Sequence, residues 1–186
     1  MVADCAGIVL AAGAGRRFGY PKVLAAEGNW LRTAVSALRG GGCAPVVVVV
    51  GATGPAALPL PDGVRQVWAA DWATGLSASL RAGLGAVAAG DAEYAVIMPV
   101  DTPDVGAAVV ARVIAAAHGA PSGLARAVFR GRPGHPVALA RAHWPAISAA
   151  AVGDSGAREY LAARTDTVGV ACDDLATGID HDFRAP

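Results

Sequence analysis

A chain of 186 residues with a formal net charge of zero, 54% hydrophobic and only 16% charged, is long enough to bury roughly 70% of its unfolded surface around one core. Its apolar excess is mostly Ala and Val broken by Gly and Pro, so no stretch reaches the roughly eighteen apolar residues of a membrane span. No run of like charge offers a footprint to nucleic acid or to an anionic membrane, and one soluble domain over residues 1–186 is predicted.

The N-terminus carries Asp4 where a secretory signal would be positive. Cys5, Cys43 and Cys172 are odd in number, far apart and without C-x-x-C spacing, which fits reduced thiols in a cytoplasmic protein better than a disulfide framework or a zinc site. Each thiol reads as a small hydrophobe.

The apolar run Gly7–Ala12 predicts a buried strand, and Gly13-Ala14-Gly15-Arg16-Arg17-Phe18-Gly19-Tyr20-Pro21-Lys22 follows it directly. The three glycines permit positive φ and let backbone N–H groups crowd toward an anion. Arg17 offers a planar donor fork and Lys22 a compact charge on a flexible stem, so the two can grip different parts of a polyphosphate. A nucleotide-binding loop is the prediction; a glycine turn with no ligand is the other reading of the same grammar. It is not a P-loop, because Val23 follows Lys22 where a hydroxyl is needed, and its glycine spacing departs from the dinucleotide G-x-G-x-x-G. Of the fifteen Lys and Arg residues only Lys22 is a lysine, which suggests a position where the ammonium is required and the guanidinium does not serve.

Next, Asn29 predicts a cap for a helix over 30–39, stopped by Gly40-Gly41-Gly42. Val46–Val50, five valines in a row, predicts a central parallel strand apolar on both faces. Prolines at 55, 59 and 61 predict a loop, and 64–68 a short strand. A helix follows with Leu76, Leu80, Leu84 and Val87 on its buried face. Ser77 and Ser79 at its start are expected to be exposed, either capping it or bonding a sugar or base. The strand 94–100 brings Asp101 to its carboxyl end, where ligands bind in open α/β sheets. Asp104 is expected to cap a helix over 105–118; that leaves Asp101 for Mg²⁺, structural capping being its alternative.

Strands at 124–129 and 136–139 flank the cationic turn Arg130–His135, read as a solvated hairpin turn or as the tip of a substrate loop. Asp154 is expected to cap a helix through Ala163, and 167–171 to form the last strand. The polar tail Gly178-Ile179-Asp180-His181-Asp182 is able to fold back and carry a second carboxylate toward Asp101. Strand and helix alternation predicts an α/β fold: a three-layer α/β/α sandwich with a mostly parallel sheet and one antiparallel strand.

Several of these segments together resemble one family. Leu10–Lys22 fits L-x-x-G-x-G-x-R-x-G-x-x-K, Ala70–Leu84 is similar to the segment before the second helix of its cytidylyltransferase branch, and Pro99–Pro103 occupies its metal-aspartate position. Arg132–Val137 resembles R-G-H-P-V, Gly153–Arg158 resembles G-D-x-G-A-R, and Gly178–Asp180 resembles D-I-D. The family is the Rossmann-like nucleotidyltransferases, and within it the molybdenum cofactor nucleotidyltransferases, with a sheet of the nucleotide-diphospho-sugar transferase type. The resemblance implies backbone at Ala11, Ala12 and Gly13 against the base, and Gly15, Arg17 and Lys22 on the triphosphate. It implies Ser79 near the nucleoside, Asp101 and Asp180 on Mg²⁺, and Arg132 and His135 facing the second substrate, with Arg17, Lys22 and Asp101 as the catalytic groups.

The implied reaction moves CMP from CTP to the phosphate of molybdopterin, a phosphorylated pterin, with release of pyrophosphate, and a molybdoenzyme receives the product. GTP in place of CTP, a sugar 1-phosphate as acceptor, and a nucleotide-binding regulatory domain are the other readings. Two departures stand out: the terminal motif begins with Gly178 where the family has Asp, and Pro133-Gly134 lies between Arg132 and His135 where the family has a single Gly.

Overall fold

In the computed structural model, which describes residues 4–182, the first apolar run forms strand β1 (Cys5–Ala11) and ends where the glycines begin. Helix α1 (Ala25–Gly40) follows; Ala26, Glu27 and Gly28 take left-handed φ of 49°, 55° and 77°, so its continuous part starts near Asn29, as the sequence predicts. The valine run is β2 (Val46–Val50), with all five residues buried. After β3 (Val64–Trp68) come α2 (Leu76–Ala88), β4 (Tyr94–Pro99) and α3 (Ala107–Gly119). A hairpin of β5 (Leu124–Phe129) and β6 (Arg132–Ala140), two short helices α4 (Trp144–Ala150) and α5 (Arg158–Ala162), and β7 (Val168–Ala171) complete the described chain.

The seven strands form one sheet in the order β3-β2-β1-β4-β6-β5-β7. Only β6 runs against its neighbours, antiparallel to both β4 and β5, as the predicted α/β fold requires. Successive strand residues face opposite sides, and the two sides carry two cores. Val9, Val48 and Met98 pack beneath α1 and α3 with Leu38 and Val113. Ile8, Val47 and Val49 pack beneath α2, α4 and α5 with Leu80, Ile147 and Leu161. The chain leaves β1 for β2 on one side while β4 lies on the other, so the strand order reverses between β1 and β4. The crevice outside their carboxyl ends is where such sheets bind ligands.

Two acids read as local caps act elsewhere. Asp104 does not cap α3, whose N-cap is Gly106; it accepts bonds from the Thr177 amide at 2.6 Å and the Thr177 hydroxyl at 2.5 Å, tying the tail down 73 residues away. Asp154 does not cap α5. Its Oδ1 accepts the Leu76 amide at 3.3 Å, at the start of α2.

Burial works to raise the Asp104 pKa, but the Thr177 bonds outweigh it and hold the carboxyl below its ordinary 3.8. A depressed carboxylate contributes stability above its unfolded value and loses it as pH falls through the folded one. The tail anchor is therefore expected to hold at neutral pH and release as pH drops below about 3.8. At pH 7, Asp104→Ala is expected to cost about 1 kcal/mol, solvent screening of an exposed carboxylate allowed for, in a urea unfolding midpoint, with faster proteolysis of residues 177–182 as a second readout. An unchanged midpoint and cleavage rate would refute the anchor.

Candidate active site

The glycine loop leaves β1 and turns on itself: Gly15 has φ 61°, Gly19 has φ 100°, and the Gly19 amide donates to the Gly15 carbonyl at 2.7 Å. A Cβ on Gly15 would sit 1.8 Å from the Tyr20 carbonyl oxygen, a backbone atom that cannot swing away. Gly15→Ala is expected to strain the loop by about 1–2 kcal/mol from its left-handed φ alone, and to weaken nucleotide binding about tenfold with the helix content unchanged. A calorimetric titration showing wild-type affinity would remove the requirement for glycine here.

Buried Phe18 anchors the loop. Its ring packs 5.1 Å from Tyr20 and 5.3 Å from Trp30 of α1, and Trp30 packs in turn, tilted, 5.4 Å from His181 of the tail. An aromatic chain thus ties loop, helix and tail together.

Between β1 and β4 lies a cleft of about 470 Å³, within the range of small-molecule sites. Ala11, Ala12, Gly13, Gly15, Arg17, Lys22, Ser79 and Asp101, all singled out in the sequence, line it together. Lys22 Nζ donates to Asp101 Oδ2 at 2.7 Å and to Asp182 Oδ1 at 2.9 Å, while Arg17 Nη1 stands 3.8 Å from Asp182 Oδ2. The Lys22 and Asp101 side chains are only 15% and 18% exposed, so water screens their pairing far less than a surface ion pair. Burial acts to lower the Lys22 pKa, and the bonds it donates to Asp101 and Asp182 overcome it, holding the ammonium above its usual range. Lys22 also holds the Asp182 carboxyl below its own.

The tail folds back as its polarity allowed. The His181 amide donates to the Asp101 carbonyl at 3.0 Å, and Phe129 fills the space where a Gly178 side chain would stand, with ring atoms 2.1–2.6 Å from a Cβ built there. Glycine at 178, where the family has Asp, is what this packing and its φ of 63° require.

Asp180 lines a neighbouring cleft of about 480 Å³ with Arg130, Arg132 and Thr177, and not the cleft that Asp101 lines. Burial first, then the nearby charges of Asp101 and Asp182, push the Asp180 carboxyl above its ordinary range. Arg132 lines this second cleft. His135 does not line it; its ring, partly open to solvent but hemmed in by protein, is pushed down to about 4 by burial, with Asp101 opposing and Arg126 assisting. At neutral pH that imidazole is uncharged.

Ser77 and Ser79 correct their expectation. They are 2% and 4% exposed, not open to solvent, because the loop at Gly153 and Asp154 closes over the start of α2. Neither serine caps that helix, whose first amide Asp154 accepts instead; Ser79 still lines the cleft.

Asp182, Asp154 and Trp72 line the cleft without having been assigned to it from sequence. Of these only Asp182 carried a usable signal, being an acid two residues beyond Asp180 in the same tail.

The family model described as the MobA-like NTP transferase domain matches residues 7–168. A curated relative named nicotine blue oxidoreductase, from Paenarthrobacter nicotinovorans, is 32% identical over 189 residues, covering 95% of this chain and 91% of that protein. Among solved structures, an Rv0371c homologue from Mycobacterium sp. strain JC1 superposes with TM-score 0.81 at 29% identity, over 98% of this chain and 92% of the other. Rv0371c from Mycobacterium tuberculosis H37Rv gives TM-score 0.79 at 25% identity, over 98% and 95%.

Proposed function

From a chain that belongs to the MobA-like NTP transferase domain family, we propose an enzyme that moves CMP from CTP to the phosphate of molybdopterin and releases pyrophosphate. The observation that carries this reading is Lys22 held between Asp101 and Asp182 on the wall of a cleft bordered by the glycine loop.

An acceptor phosphate oxygen is already a competent nucleophile, so the protein has to position two anions and absorb charge. The acceptor oxygen forms a bond to the α-phosphorus as the bond to the bridging oxygen of pyrophosphate breaks, and no covalent enzyme intermediate is needed. Loop amides from Gly13 onward with Arg17 and Lys22 take the triphosphate, and triphosphate oxygens replace Asp182 on those two cations. Ser79 and the backbone of Ala11 and Ala12 border the nucleoside. The cationic cleft at Arg130 and Arg132 is the seat for the acceptor, with uncharged His135, next in sequence to its Gly134, as a hydrogen-bonding group. Asp180 of that cleft and Asp182 of the nucleotide cleft stand two residues apart on the tail, so the acceptor phosphate would approach the α-phosphorus beside this stretch.

Asp101 and Asp182 share Lys22, and burial first, then the charges of those two acids, raise the carboxyl of nearby Asp180. That surplus of negative charge on oxygen donors fits a hard dication. Asp101 and Asp180 would hold Mg²⁺, which would supply Lewis-acid neutralisation of the phosphate oxygens.

The cytidylyl preference rests on the Ala70–Leu84 segment; GTP as donor is the alternative within the same chemistry. The name of the Paenarthrobacter relative suggests a redox reaction instead. A lysine set between two carboxylates on the wall of a cleft bordered by a glycine loop suits an anionic triphosphate, which favours transfer of a nucleotidyl group. Free, buried Cys5, Cys43 and Cys172 suit a cytoplasmic site of action.

Pyrophosphate release measured with Mg²⁺, each of CTP, GTP, ATP and UTP, and purified molybdopterin tests the proposal, with NADH and NADPH oxidation as a parallel arm. Acceptor-dependent release from CTP is the expected result. Release from GTP alone would transfer the assignment to guanylyl transfer, and nicotinamide oxidation without any pyrophosphate would overturn it.

A further inference from the structure

β1 runs away from the glycine loop for seven residues, and about 20 Å from the cleft its other end carries a separate cluster. Cys5 Sγ lies 3.3 Å from Asp4 Oδ1 and 3.8 Å from His118 Nε2, and that nitrogen is 3.1 Å from Asp4 Oδ2. One donor atom from each residue falls within 4.8 Å of the others, and among the described residues no other trio of His, Cys, Asp or Glu does so. A tetrahedral zinc ion with Zn–S near 2.3 Å and Zn–N or Zn–O near 2.0 Å spaces its donors about 3.3–3.6 Å apart. Taken to the nearer Asp4 oxygen in each case, the observed separations of 3.1, 3.3 and 3.8 Å bracket that spacing.

The frame around these donors is fixed from several directions. The Asp4 carbonyl accepts the Glu93 amide at 2.8 Å and the Tyr94 amide at 3.0 Å, and the Cys5 carbonyl accepts the Ala44 amide at 2.8 Å. Cys5 heads β1 directly opposite Tyr94 of β4. The Tyr94 ring stands edge-on to the imidazole of His118, 4.6 Å between centroids, in the last turn of α3. Two donors are thus set by the sheet and the third by a helix end braced on an aromatic ring, as a preorganised site demands. Cys5 is buried and the other two are exposed, so the thiol backs the cluster from the core while an entry path faces solvent.

We propose that Asp4, Cys5 and His118 bind a zinc-class divalent cation, tying the first strand to the end of α3. Sulfur and imidazole donors select borderline d-block ions over Mg²⁺, whereas the oxygen-only set at Asp101 and Asp180 has the reverse preference. On binding, a sulfur–metal bond forms as the Cys5 thiol proton passes to solvent, and the neutral imidazole binds through Nε2. Cys5 and His118 lie 113 residues apart, which is why ligand-spacing signatures pass over the cluster.

Chelator-stripped protein is titrated with Zn²⁺ in excess Mg²⁺ against a chromophoric competitor, and separately with Co²⁺ for its thiolate charge-transfer absorption. One equivalent of Zn²⁺ and a cobalt charge-transfer band are expected. His118→Gln and Asp4→Asn, both at exposed positions, are expected to weaken binding by at least about tenfold, the scale on which perturbing a ligand's surroundings alone already acts. Cys5→Ser is expected to abolish the band; should that buried variant not fold, the weakening in His118→Gln carries the test. Equal Zn²⁺ affinity in wild type and His118→Gln, or a Co²⁺ complex without the band, would overturn the site.

Discussion

Lys22→Ala is expected to lower turnover by about 10² or more while the chain stays folded, the scale on which a single charge-stabilising group acts. Nζ sits 2.7 Å from Asp101 and 2.9 Å from Asp182 in the free protein. Its charge is therefore already placed and largely dehydrated before the triphosphate arrives, and little reorganisation remains for the transition state. Alanine removes that charge and leaves Asp101 and Asp182 with no ammonium between them. Phosphate oxygens then meet a net negative wall, so the Michaelis constant for the nucleotide is expected to rise as kcat falls. Lys22→Arg is expected to rescue poorly, because a broad planar guanidinium cannot reproduce a compact donor between two carboxylates. Steady-state pyrophosphate release, with circular dichroism as the folding control, decides the matter. A folded alanine variant with near-normal kcat would strip Lys22 of its role.

The sequence is most readable where chemistry is local. Five adjacent valines leave no polar face, so β2 has to be central; Gly15 must be glycine because its own loop closes onto it. The β6 strand was less legible. The sequence puts 130–135 in a turn and starts the strand at Pro136, yet the strand begins at Arg132. Residues 132–133 pair with β5 alone, and pairing with β4 starts only at Val137, so this stretch behaves as an edge strand that tolerates a missing N–H.

Acidic residues were the hardest to place, for a physical reason. Capping grammar sees only partners within a turn, and both Asp104 and Asp154 have a convincing helix beside them. Each instead bonds an amide more than seventy residues away. Asp182 is the extreme case: its partner Lys22 is 160 residues distant, and the fold alone supplies that pairing. The loop end of the site is thus legible from sequence, and its tail end only from the way Phe129, Gly178 and Thr177 seat the chain.

Asp101→Asn separates the proposed metal seat from the lysine's role. The amide is nearly isosteric and keeps an oxygen toward Lys22, while Asp182 still holds Nζ, so the cleft is expected to keep its shape. Turnover is nevertheless expected to fall by about 10², and the Mg²⁺ concentration for half-maximal activity to rise, an effect not required of Lys22→Ala. A second readout needs no activity. The Asp180 carboxyl is raised by burial, by Asp101 and by Asp182, so neutralising residue 101 removes one of two like charges while burial stays. The Asp180 titration, followed by carboxyl-carbon NMR, is therefore expected to move down toward its ordinary 3.8 without reaching it. An unmoved Asp180 titration would show that the two carboxylates do not sense each other. Wild-type turnover at an unchanged Mg²⁺ requirement would take Asp101 out of the metal seat altogether.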